Sequence, residues 1–91
     1  MNEKKLDFFK DFLQAYFNLD VKYLELENLI SEIKNTEPTE FTDQLLNEAK
    51  YIIKLNDWNY IHDFVLGNGF RNYEKDMLIE MILTIIRGLS E

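Results

Sequence analysis

The stretch Leu6–Asp20, LDFFKDFLQAYFNLD, holds five of the thirteen aromatic residues of a 91-residue chain. At about 100° per residue, Leu6, Phe8, Phe9, Phe12, Leu13, Tyr16 and Phe17 fill a continuous arc of roughly half the circumference. Asp7, Lys10, Asp11, Gln14 and Asn18 fall on the opposing arc with Ala15 at the border, so the period is helical and a strand is excluded. An apolar arc this broad is wider than contact with one neighbour requires. The stretch reads as the hub helix of the fold, touching at least two others.

Outward from this helix, Asn18 to Asp20 breaks the pattern, because Asn and Asp favour caps and turns over helix interiors. A second helix runs from about Tyr23 to Lys34 on a narrow apolar arc of Leu26, Leu29, Ile30 and Ile33. Asn35-Thr36-Glu37-Pro38 ends it and starts the third helix, with Thr36 or Glu37 as the cap. That helix reaches Leu55 and buries Phe41, Leu45, Leu46, Ala49, Ile52 and Ile53. Asp57 caps a short fourth helix through Leu66, which presents Trp58, Ile61, Phe64 and Val65. Gly67-Asn68-Gly69 stops it by supplying the positive φ values of a helix exit. A last helix spans about Tyr73 to Leu89 with Asn72 as its cap. Its apolar residues cover two thirds of the wheel and leave Glu80, Thr84 and Arg87 as a polar strip, so it is expected to be almost fully buried, or else to form a dimer surface. The expected fold is all-α, one domain built as a bundle of four to five helices. No internal repeat, linker or low-complexity segment interrupts it.

The chain has no cysteine, which removes disulfides, thiolate metal sites and a cysteine nucleophile. The Met-Asn-Glu-Lys-Lys start carries no apolar signal region and the longest apolar runs, such as Met81 to Ile86, are too short for a bilayer. A cytoplasmic protein without membrane contact is expected. Net charge is −7, and residues 20–48 carry −6 of it, with eight acids against Lys22 and Lys34. Such a segment repels phosphate backbones, so direct nucleic-acid binding is not expected, whereas a basic protein partner is its complement.

Catalytic chemistry finds no team of residues. His62 is the only histidine, and a lone imidazole without a second His or a Cys does not build an ordinary zinc site. Ser31 or Ser90 with His62 and Asp57 lacks the glycine pattern of a nucleophile elbow. The pairs Asp7 and Asp11, or Glu25 and Glu32, share helix faces but point away from the expected core. No enzyme, metal or cofactor is expected.

Phe8-Phe9, Tyr16-Phe17 and Asp20, followed by Glu37-Pro38, resemble the FF...YF..D opening of small immunity proteins of contact-dependent growth inhibition systems, the CdiI type. The resemblance implies a bacterial cytosolic protein that binds and neutralises a toxin domain, most simply a nuclease. An acidic, cofactor-free helical domain is compatible with masking a cationic cleft. The expected partner-binding residues are the acids Asp20, Glu25, Glu27, Glu32, Glu37, Glu40 and Asp43, with Tyr23 and Trp58 as aromatic anchors. Two other readings fit the composition: an acidic DNA-mimic regulator of a nucleic-acid-binding protein, and a structural homodimer joined through the last helix.

Overall fold

Every element of the described chain is helical. The computed structural model describes residues 6–17 and 21–90. The first element is a short α-helix, α1 (Asp7–Asp11), which widens without a break into a π-helical turn over Phe12–Tyr16. A 3₁₀ turn at Tyr23–Glu25 leads into α2 (Leu26–Thr36), followed by α3 (Thr39–Leu55), α4 (Trp58–Gly69) and α5 (Lys75–Ser90).

The π turn changes which aromatics face inward. The Phe17 N–H donates to the Phe12 carbonyl at 2.8 Å, a bond five residues long, which brings both side chains to the same side of the widened turn. Phe9, Phe12, Leu13 and Phe17 are completely buried, while Phe8 and Tyr16 are half-buried. The rings of Phe64, Phe9, Phe12 and Phe17 follow one another at centroid spacings of 5.6, 6.5 and 5.8 Å. Phe41 lies between Phe8 and Tyr16 at 5.8 and 5.7 Å. The first helix thus packs on both α3 and α4, as its broad arc requires.

It is not the hub, however. That position belongs to α5, which packs against α2, α3 and α4 and buries Leu78, Met81, Ile82 and Ile85. Thr84, expected on a polar strip, is also buried; its hydroxyl donates to the Glu80 carbonyl at 2.7 Å, so the helix satisfies its own polar group. Ile79, Leu83 and Ile86 are only half-buried and Met77 is exposed, so the helix is less enclosed than its wheel suggests. With three helices on it, Met77 is the one large apolar side chain that α5 leaves exposed.

Helices α2 and α5 run in the same sense, since Tyr23 just before α2 meets Tyr73 just before α5, while Ile30 in the middle of α2 meets Gly88 in the last turn of α5. Parallel macrodipoles repel, and Lys34 and Arg87 in the two last turns offset the negative ends. The approach is close enough that a Cβ on Gly88 would stand 2.4 Å from Ile30 Cγ2. Gly69 plays the same part for α4, where a Cβ would come within 3.3 Å of Leu13 Cδ2.

Several boundaries differ from the sequence reading. α4 continues through Gly67, Asn68 and Gly69, and neither glycine has a positive φ. The left-handed residue that ends it is Phe70, at φ 58°. Gly69 is buried in the last turn of α4. α2 also extends to Thr36, whose hydroxyl donates to the Glu32 carbonyl and so closes α2 instead of capping α3. Pro38 takes the N-cap position of α3 without a side-chain bond. α5 begins at Lys75, and Asn72 is not its cap but the partner of His62. Asp57 does cap α4, accepting from the Tyr60 N–H at 3.2 Å.

Candidate functional site

The acids of the middle segment divide by their surroundings. Glu25, Glu27, Glu32, Glu40 and Asp43 are exposed, and Glu37 is half-buried. The Tyr16 phenol bonds to the Glu37 carboxylate, and this bond, with burial and the carboxylate's charge, raises the phenol's pKa above its ordinary value. Glu37 therefore ties the first helix to the α2–α3 connection. Asp20 lies outside the described residues. Around α2, Glu27 stands about 140° from Glu32, so the helix presents its acids on two flanks and not as one file.

The Glu27 flank faces α5 across a surface groove. A groove of about 490 Å³ is lined by Glu27, Ile30, Ser31, Lys34, Asn35, Thr84, Arg87 and Gly88. A second hollow of about 290 Å³ adds Tyr23, Leu24, Leu26 and Glu80 and shares Glu27, Thr84 and Arg87 with the first. Arg87 Nη2 lies 3.4 Å from the Thr84 hydroxyl. Among the described residues neither Glu27 nor Glu80 has an ion-pair partner.

Of the two aromatics expected as exposed anchors, Trp58 is buried and Tyr23 is half-buried. Trp58 is only 9% exposed, and its indole N–H donates to Asn56 Oδ1 at 2.8 Å, so it belongs to the core. Tyr23 is half-buried between Phe17 and Tyr73 at 6.4 and 5.6 Å. Burial, then the charge of Glu80, raise the Tyr23 pKa. The exposed apolar residue here is Leu24, at 91% exposure, which helical spacing does not single out because it sits in the 3₁₀ turn ahead of α2.

Two charged residues that the sequence reading left aside are structural. Glu48, at 3% exposure on α3, accepts the Phe8 and Phe9 N–H groups at 3.2 and 2.7 Å, capping α1 from a distant helix. It accounts for one of the eight acids of residues 20–48, leaving fewer on the surface. Arg71 is buried over the Phe17 ring, 3.7 Å from its centroid. It donates to the carbonyls of Phe17 and Val21 and to the Tyr73 hydroxyl. Only an i to i+40 pairing reveals the first and an i to i−54 pairing the second, so local sequence carries no signal for either.

His62 sits at the surface of α4 with Nε2 2.8 Å from Asn72 Oδ1 and Nδ1 3.3 Å from Asp63 Oδ1. The bond to Asn72, then that to Asp63, raise its pKa, because the imidazolium can donate to both oxygens and the neutral ring to only one. Among the described residues no group of three His, Asp or Glu side chains is placed to hold a metal ion. No described helix is long and apolar enough to cross a membrane. Comparison of the chain with protein-family models, curated proteins and solved structures gave no match in any of the three.

Proposed function

We propose that this protein is a cytoplasmic immunity protein that binds and neutralises a toxin domain, a basic nuclease being the simplest target. The observation that carries the reading is the exposed acidic surface running from the 3₁₀ turn through α2 to the start of α3, where Glu25, Glu27, Glu32, Glu40 and Asp43 are all exposed. In a chain of net charge −7, these carboxylates accelerate encounter with a cationic partner and oppose docking of an anionic one. Glu40 also has a local purpose, since an acid in a first turn complements the helix dipole, by roughly 0.3 to 1 kcal/mol. Its full exposure leaves it able to serve both.

The test is to read the neighbouring gene, co-express the chain with any toxin-domain fragment encoded there, and measure binding kinetics on the purified pair; a neighbouring gene without a toxin domain would count against the reading. Wild type should restore growth and inhibit the toxin. The variant carrying Glu25→Lys, Glu32→Lys and Glu40→Lys should keep its helicity but associate more slowly at low salt. That difference should shrink near 1 M salt, where screening acts over only about 3 Å. Wild-type association and dissociation rates in the triple variant would reduce the acidic surface to a solubility device.

A further inference from the structure

We propose that the hollow between Tyr23, Leu24, Glu27, Glu80 and Thr84 receives a long basic side chain of a protein partner, its aliphatic stem on Leu24 and its cationic head between Glu27 and Glu80. The inference rests on the protein-binding reading above and gives it an address. Three observations converge on this place. Leu24 is the most exposed large apolar residue of the described chain, and it stands beside a hollow instead of on a convex surface. Glu27 and Glu80 come from two different helices, line the same hollow, and have no cation paired with them among the described residues. The size, about 290 Å³, suits one side chain and is too small for a folded element.

The chemistry of the walls selects the occupant. Tyr23, Leu24 and Leu26 offer apolar surface, and Glu27 of α2 and Glu80 of α5 add a carboxylate each, which matches a side chain with a methylene stem and a charged tip. Burial first, and then the charge of Glu80, raise the pKa of the Tyr23 phenol, while Arg87 acts in the opposite direction. Arg87 shares the wall with its Nη2 3.4 Å from the Thr84 hydroxyl, and among the described residues it makes no ion pair with either carboxylate. Its charge should instead weaken the site.

The experiment is an amide-shift titration of the full chain with N-acetyl-arginine amide and N-acetyl-lysine amide, using the uncharged N-acetyl-citrulline amide as the control. Both basic probes should perturb Leu24, Glu27, Glu80 and Thr84 with millimolar half-saturation, and citrulline should not. Glu27→Gln with Glu80→Gln should weaken the basic probes at least tenfold and Leu24→Ser at least threefold, whereas Arg87→Ala should tighten them two- to threefold. The four substituted side chains, Leu24, Glu27, Glu80 and Arg87, are exposed, and a far-UV spectrum matching wild type secures the fold of each variant. Equal shifts with citrulline, or perturbations spread over Glu32, Glu40 and Asp43, would overturn the proposal. Loss of probe binding in a variant that still captures the toxin at the wild-type rate also overturns it, and leaves the immunity reading standing. Probe binding in a chain that captures no toxin keeps the basic-side-chain site and removes the toxin as its owner.

Discussion

Replacing Glu48 with Gln tests the most unusual contact of the fold. The carboxylate accepts two backbone N–H groups at 2.7 and 3.2 Å from the first turn of α1, in a site where the residue is 3% exposed. Hydrogen bonds to a charged group contribute about 1.5 to 3 kcal/mol each, and a buried donor left unpaired costs about 1 to 3 kcal/mol. Glu48→Gln keeps the volume and one acceptor oxygen but turns an NH₂ toward the other N–H. Losing one bond and facing donor against donor should cost on the order of 2 to 4 kcal/mol. With a urea slope of about 1 to 1.5 kcal/mol per molar for so small a domain, the midpoint should fall by roughly 1.3 to 4 M. If stability is too low for that range, the melting temperature should drop by about 4 to 8 °C per kcal/mol. Amide exchange supplies the local readout: Phe8 and Phe9 should lose protection by more than Leu45 and Ile52, which lie in the centre of α3. A midpoint within about 0.3 M of wild type, together with unchanged exchange at Phe8 and Phe9, would refute the capping role.

Gly88→Ala should destabilise by about 1 to 3 kcal/mol despite alanine's better helix propensity, because the new Cβ meets Ile30 Cγ2 at 2.4 Å; urea melts of this variant, Ile30→Ala and the double variant should show favourable coupling. Phe70→Gly should raise stability by about 0.5 to 1 kcal/mol, since the ring is 67% exposed and the backbone holds a left-handed φ of 58° that costs a side chain about 1 to 2 kcal/mol; a lower melting temperature would refute this. Proton NMR should place the His62 titration above 6.5, with Asn72→Ala lowering it. Because the folded pKa is raised, the His62 contribution to stability is full below pH 6.5 and is lost as pH rises through the folded value, so His62→Gln should narrow the stability gap between mildly acidic and mildly alkaline solution.

Local periodicity determined which segments are helical and most of their inward faces. Phe9, Leu13, Phe17, Ile52, Ile82 and Ile85 all lie at zero exposure, where the wheels put them, because an apolar stripe at helical spacing has one way to leave water. Asp57 as a cap was equally legible, since its partner is three residues away. What the tertiary structure alone decided was rank and long-range pairing. The aromatic first helix has the densest sequence signal, yet α5 became the centre because its apolar surface is wide enough for three neighbours. The Gly67-Asn68-Gly69 run reads as a stop, but α4 continues through it, with Gly69 buried beside Leu13, and the left-handed exit falls at Phe70. Trp58 and Glu48 look like surface candidates by composition, and both are buried because partners outside their own helices, Asn56 and the α1 N–H groups, satisfy their polar atoms. The separation of Glu27 from Glu32 is already present in the wheel of α2. That Glu27 meets Glu80 beside Leu24 depends on the parallel docking of α2 and α5, a relation between residues more than fifty apart that no local pattern encodes.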